Sequence, residues 1–328
     1  MKQDFSDLVK TIKWPTDRNV LVLDVGNSDL KGYVNGERFS VPTSYTTNLG
    51  LKPRELRQQR APFDGFAVYD YKDSAKRQYK FGRGQETGKM PANSDKGTFY
   101  KTIVQGCCGG VDNSLPWTVI VSHWDEYRDE ELAGSLQGIH TVCVNGNDKE
   151  INIDKVVFVV EGEGANLLYR QNGGGQLAII DVGYDTVGLR VCNDRGEVNH
   201  AYLPGYGVRR VVASIRQSPQ LAERVYKEPS ARAVIYALQE NGQLRSNSNE
   251  SENPYINISD LVRSSVEDWV ADVFGELDST YGEMINQASA YWMVGGGANW
   301  VRPYVEGQSI FIPEEPEFAN ATGMLLKV

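Results

Sequence analysis

The chain has 328 residues, 40% hydrophobic and 23% charged, which is ordinary globular usage and argues against wholesale disorder. That length predicts two domains, with cores large enough to need no disulfide or metal. A net charge of -9 excludes a generally basic, phosphate-neutralising surface, so nucleic acid is expected to be reached only through a partner protein. Cys107, Cys108, Cys143 and Cys192 form no CxxC pair, and His123, His140 and His200 show no metal-ligand spacing. Free thiols, the lack of a signal-like apolar stretch in residues 1–13 and the lack of any bilayer-spanning run predict a reduced, cytoplasmic protein without membrane contact.

Residues 19–24 are short, β-branched and followed by Gly26, the pattern of a buried strand. Residues 32–34 and 38–41 read as two further strands joined at Asn35-Gly36, a strong hairpin signal. The stretch from 42 to about 110 is polar and reads as a smaller inserted subdomain. Residues 117–122 predict another buried strand, and 125–137, with Leu132 and Leu136 a turn apart, a helix ended by Gly138. Strands are expected at 141–144, 151–153 and 155–160, then a helix at 165–171. The second half opens with strands at 177–181, 187–192 and 197–202, the last two around a turn at 193–196. Residues 241–254 read as an exposed polar loop. With Ser259 as N-cap, Val262, Val266, Trp269, Val270, Val273 and Leu277 recur at helical spacing and predict a core-facing helix. A strand at 290–294 runs into Gly295-Gly296-Gly297-Ala298, and residues 317–326 predict a last helix.

The most informative feature is an internal repeat. Asp24-Val25-Gly26-Asn27-Ser28-Asp29 and Asp181-Val182-Gly183-Tyr184-Asp185-Thr186 each follow a buried strand and precede a hairpin. Each puts an Asp at the carboxyl end of the strand, two residues before a glycine. The glycine lets backbone N–H groups approach a phosphate, and the Asp can hold Mg²⁺ directly or through water. Two such turns suit a polyphosphate clamped between two domains. The third glycine loop offers bare backbone to a flat base. The plainer alternative is a duplicated hairpin scaffold whose Asp residues cap turns.

In this order the motifs resemble the actin-like ATPases, and within them the ParM/StbA-type plasmid-segregation actins with their archaeal and phage relatives. Residues 24–31 resemble the first phosphate loop, 138–146 and 159–165 the end of domain I and the first connection, and 181–186 the second phosphate loop. Residues 295–298 resemble the adenosine loop, and 317–323 the second connection. The resemblance implies an α/β, actin-like (Hsp70/hexokinase/actin) fold of two duplicated domains with a nucleotide cleft between them. Domain I would cover 1–165 with its insert at about 42–110. Domain II would cover 166–316 with a smaller subdomain at about 205–260, and 317–328 would return to domain I.

It also implies roles. Asp24 and Asp181 would organise Mg²⁺ through water, Asp181 also serving the attacking water. Gly26, Asn27, Ser28, Asp29 and Lys31, with Gly183, Tyr184, Asp185 and Thr186, would bind the phosphates. Gly207, Arg210, Gly295, Gly296, Gly297 and Ala298 would bind adenosine, with Arg209 as an alternative to Arg210. Glu161 would orient the attacking water, although Glu163 competes for that role and either acid can stabilise the following helix. The family often has Pro where Val160 stands. Residues 42–110, Cys107-Cys108 and the loop at 241–254 match nothing. The expected activity is Mg²⁺-dependent hydrolysis of ATP to ADP by a homopolymer filament that segregates a plasmid or other replicon through a DNA-bound adaptor. The alternatives are a small-molecule kinase of the same superfamily, and a nucleotide-binding scaffold that neither polymerises nor turns over.

Overall fold

In a computed structural model of the chain, residues 6–49, 60–72, 77–82, 96–111, 114–123, 129–171, 174–193, 198–245, 255–305 and 307–328 are described. The chain divides into two compact units, Met1–Gly174 with Pro313–Val328, and Gly175–Ile312.

In the first unit α1 (Ser6–Thr11) precedes the strands β1 (Asn19–Val25), β2 (Asp29–Val34), β3 (Glu37–Pro42), β4 (Tyr45–Leu49), β5 (Gly65–Asp70) and β6 (Arg77–Gly82). Then come α2 (Lys96–Cys108), β7 (Trp117–His123), α3 (Asp129–Leu136), β8 (Gly138–Val144), β9 (Asn147–Val160) and α4 (Glu163–Gln171). The described strands form one sheet in the order β3-β2-β1-β7-β9-β8-β5-β6-β4. Asn35-Gly36 and Asn145-Gly146 all have positive φ, the conformation of the tight hairpin turns that their sequence predicts.

Both faces of the sheet centre are covered. Leu21, Leu23 and Val25 of β1 pack with Tyr100, Ile103, Val104, Cys107 and Cys108 of α2. Val20 and Val22, on the opposite face, pack with Ile120, Val159, Phe318, Ala321 and Met324. Two buried faces explain why β1 and β7 read as unbroken apolar runs. The Cys107-Cys108 pair is thus part of the core of α2. All four cysteines are buried free thiols, and burial pushes those of Cys107 and Cys108 above their ordinary value.

Two differences from the sequence reading have local causes. The strands expected at 151–153 and 155–160 are one strand, β9. Its register against β7 jumps from Ile153 opposite Trp117 to Lys155 opposite Thr118, so Asp154 is a bulge that breaks the apolar alternation. The polar stretch after residue 42 supplies β4, β5 and β6, and β5 pairs with β8, which makes them an extension of the main sheet. The helix read at 125–137 is α3, and residues 124–128 lie outside the described residues.

The second unit holds β10 (Leu177–Val182), β11 (Thr186–Cys192), β12 (Val198–Pro204), α5 (Arg209–Gln217), α6 (Pro219–Arg224) and α7 (Ala231–Gln239). It continues through β13 (Gln243–Arg245), β14 (Tyr255–Asn257), α8 (Ser259–Ile285), β15 (Ala290–Val294), α9 (Ala298–Val305) and β16 (Ile310–Phe311). β13 falls within the predicted loop and pairs with β14; residues 246–254, like the turn residues 194–197, lie outside the described residues. The stripe of α8 is buried at Val266, Trp269, Val270, Val273 and Leu277. Its start differs by one residue from the expectation: Ser259 is the first helical residue, Ile258 stands at the N-cap, and the Asn257 side chain just before it accepts the Ser259 N–H at 2.9 Å. In the first unit, α10 (Ala319–Met324) follows a short 3₁₀ turn.

The repeat seen in the sequence is also a repeat of topology. The second sheet has the order β12-β11-β10-β15-β16, with two antiparallel pairs and then two parallel ones. β3-β2-β1-β7-β9 has the same pairing directions in the same order.

Candidate functional site

Each repeat closes the same turn. The Gly26 N–H donates to the Asp29 carbonyl at 3.1 Å, and the Gly183 N–H to the Thr186 carbonyl at 2.9 Å. A Cβ at Gly26 would lie 2.7 Å from the Asp29 oxygen, and one at Gly183 would lie 3.0 Å from the Thr186 oxygen. Close approach of backbone, rather than an unusual φ, therefore demands glycine at position 26 and favours it at position 183. The segment after each third strand ties down the loop carbonyls. In the first loop Thr43 Oγ1 donates to the Gly26 carbonyl at 2.7 Å and the Thr43 N–H to that of Ser28 at 2.9 Å. In the second, the Val208 N–H donates to Gly183 at 3.1 Å, the Arg209 N–H to Tyr184 at 2.7 Å and the Gly205 N–H to Asp185 at 3.0 Å. Engaging these acceptors lowers the repulsion an anion would meet at the loop.

In the first unit Asp24, Ser122 and Glu161 stand at or just past the carboxyl ends of three adjacent parallel strands, where ligands of such sheets bind. Ser122 Oγ donates to Asp24 Oδ1 at 2.6 Å and accepts the Val25 N–H at 3.3 Å. Lys31 lies opposite Asp24 in the β1–β2 register, on the same sheet face. Ser28 Oγ donates to Asp29 Oδ2 at 2.7 Å, and Asn27 is buried. Glu161 occupies the turn after β9, its N–H donating to the His123 carbonyl at 3.1 Å. Glu163 opens α4, and its carboxylate accepts from Asn166 Nδ2 at 3.1 Å, a helix-start role.

In the second unit the glycine loop after β15 folds onto the end of β10. The Gly297 N–H donates to the Val182 carbonyl at 2.9 Å, and Ala298 begins α9. Gly295 has φ +88° and its backbone abuts Asp181 Oδ1, so a side chain there is excluded on both counts. Gly296 is exposed. A Cβ at Gly207 would overlap the Tyr184 carbonyl. Backbone hydrogen bonds thus join Gly183–Asp185 to Gly205–Arg209, and Val182 to Gly297; Gly207, Val208, Gly297 and Ala298 are buried, while Gly205, Arg209 and Gly296 are exposed. Burial raises the Tyr184 phenol above its ordinary value, with Asp185 adding to the rise. Arg210 is turned to α8, its Nη2 3.0 Å from Asp272 Oδ2 and its guanidinium over the Tyr206 ring. Arg209 pairs with Asp185 at 3.1 Å.

The sequence reading missed Ser122 and Thr43. Ser122 carried one signal, a hydroxyl at the end of an otherwise apolar strand. Thr43 carried none, since it acts from a segment read as featureless.

No protein-family model and no curated protein sequence matches the chain. Solved structures do match. A 15-stranded ParM filament from Clostridium botulinum is 16% identical, with 95% of this chain and 99% of that one covered at a TM-score of 0.72. The fold is actin-like. An archaeal actin homologue in complex with ADP is 17% identical, covering 94% of this chain and 98% of its own at a TM-score of 0.70. Bacillus thuringiensis ParM with AMPPNP is 18% identical, with 95% and 98% covered at 0.66.

The loops of this actin-like chain fit a nucleotide's phosphates by their glycine cradles. Among the described residues no group of three or more His, Cys, Asp and Glu is placed to hold a metal. Neither Asp24 nor Asp181 is part of such a group, so a Mg²⁺ at either would take most of its ligands from water and phosphate, as that ion does. No helix among the described residues is long and apolar enough to cross a membrane.

Proposed function

We propose that the protein binds and hydrolyses ATP with Mg²⁺ and assembles into nucleotide-dependent filaments. The observation that carries this reading is the duplicated turn, with the same glycine bond at Gly26 and Gly183 on a fold shared with ParM structures. Gly26, Asn27, Ser28, Asp29 and Lys31 bind phosphate from the first unit, and Gly183, Tyr184, Asp185 and Thr186 from the second. Gly207 and Gly295–Ala298 present backbone to the adenosine, with Arg210 at its margin. Bound Mg²⁺ neutralises charge on the phosphates. Asp24 in the first unit, or Asp181 in the second, would hold waters of that ion by its carboxylate, and Glu161 would accept a hydrogen bond from the attacking water. Nothing here requires a covalent nucleophile, in keeping with the burial of every cysteine.

Nucleotide state would set subunit affinity by favouring one conformation over another. The task that suits an acidic cytoplasmic filament is segregation of a replicon through a basic DNA-bound adaptor. Light scattering and phosphate release, followed together after addition of ATP–Mg²⁺, test the proposal. Scattering that rises with ATP and decays with hydrolysis supports it. Phosphate release without scattering leaves an ATPase that does not polymerise, and phosphorylated product from a metabolite panel replaces the reading with a kinase.

A further inference from the structure

Asp185 lies inside the loop assigned to phosphate, and its side chain is only 11% exposed. A carboxylate in that place opposes an anionic ligand, and one removed from water needs a partner. Three arginines of the second unit, Arg209, Arg216 and Arg232, act electrostatically on Tyr184, the residue before Asp185. Arg216 is held by Glu228 at 2.5 Å and by the Pro229 carbonyl, and Arg232 lies over the Tyr236 ring. Arg209 reaches Asp185, Nη1 to Oδ1 at 3.1 Å, from the first turn of α5. Its backbone is fixed as well, because its own N–H donates to the Tyr184 carbonyl and the Val208 N–H to that of Gly183.

Resting on the nucleotide reading of this loop, we infer that Arg209 is the counter-charge of Asp185: it makes the second phosphate loop electrically acceptable to a polyphosphate without itself being a phosphate ligand. The guanidinium is spent on the loop's own acid. The first loop meets the same problem differently, with the Ser28 hydroxyl donating to Asp29. Hydroxyl and acid exchange places between the repeats, Ser28-Asp29 against Asp185-Thr186, so the buried acid of the second loop faces α5 and takes its partner there.

The experiment titrates a fluorescent ATP analogue with Mg²⁺ into the full-length wild type, Arg209→Gln, Arg209→Lys, Asp185→Asn and the double variant Asp185→Asn/Arg209→Gln. Circular dichroism verifies the fold of each. Arg209→Gln removes the charge paired with Asp185 and should bind about two- to fivefold more weakly, the range of an ion pair whose guanidinium is 65% exposed. Arg209→Lys keeps the charge and should retain most of the affinity. The double variant, with no charge pair left to balance, should recover the wild-type affinity, the coupling expected of directly paired groups. A double variant as weak as Arg209→Gln would show that Arg209 contacts the ligand itself, and would overturn the inference while leaving the nucleotide reading intact. Equal affinity in all five proteins would overturn it too. A wild type that binds no analogue would instead overturn the nucleotide reading, and the inference with it.

Discussion

At Asp24 one carboxylate oxygen accepts a hydrogen bond from Ser122, a residue 1% exposed, so the two side chains are expected to act as a unit. Asp24→Asn should sharply lower Mg²⁺-dependent turnover. Ser122→Ala should lower it less, and should add little in the Asp24→Asn background. Phosphate release across that four-member cycle measures the coupling, expected at about 0.5–3 kcal/mol for directly bonded groups; independent, additive losses would deny Ser122 a role through Asp24. The two acids after β9 separate by the same kind of reasoning. Glu163 is committed to Asn166 at the start of α4, which leaves Glu161 in the turn as the group assigned to water. Glu161→Gln should therefore lose roughly 10²–10⁴-fold in rate while still assembling with ATP, and its filaments should persist. Glu163→Gln should hydrolyse like wild type, and the opposite pattern in phosphate release would exchange the two roles.

Among the elements, α4 and α10 cross with backbone against backbone. A Cβ at Gly323 would overlap the Gly164 carbonyl, and one at Gly164 the Asn320 carbonyl, while Asn320 Oδ1 accepts the Ala165 N–H at 3.3 Å. No side chain can rotate out of the way, so Gly323→Ala should destabilise by about 1–3 kcal/mol or more, as overpacking does. Gly134 in α3 has open space around its Cβ position, and Gly134→Ala should be stabilising by about 0.4–1 kcal/mol. Urea midpoints of the two variants should move in opposite directions. A second element-level test concerns pH. Burial raises the Asp70 carboxyl, but hydrogen bonds from Lys101, the Lys72 N–H and Gln105 outweigh it and hold it below its ordinary 3.8. Burial lowers His140 below its ordinary 6.5 despite its bond to Leu136. In both cases the unfolded chain binds the proton more readily, so stability falls as pH drops. A first decline should begin below about pH 6.5 and a second below about pH 4, read from urea midpoints, with Asp70→Asn reducing the second, to which Asp260 and Glu276 also contribute. The strands and their duplication were legible in the sequence because β1, β7 and β10 are apolar throughout and each Asp-x-Gly ends one of them. What escaped depended on contacts distant in sequence: the bulge at Asp154 against β7, and the Arg209–Asp185 pair, whose members lie 24 residues apart.

For the molecule as a whole, the charge of -9 makes direct binding to DNA unfavourable. Electrophoretic mobility of naked duplex should be unchanged by the protein at physiological salt, and a shift should require an added basic adaptor; retardation by the protein alone would remove the need for one. The division of the chain has a different consequence, in time rather than in space. The first unit is built from Met1–Gly174 together with Pro313–Val328, and Phe318, Ala321, Met324 and Leu325 fill one face of its sheet. A ribosome making roughly 5–20 residues per second takes on the order of 7–30 s to add residues 175–312. Throughout that interval Val20, Val22, Ile120 and Val159 lack the part of their cover that Phe318, Ala321, Met324 and Leu325 supply, and keep only that of Val9, Ile12 and Trp14. The second unit, continuous in sequence, can finish first, so the half of the protein made earlier is the half completed last. Such a nascent chain offers an apolar sheet face to chaperones for several seconds in every round of synthesis.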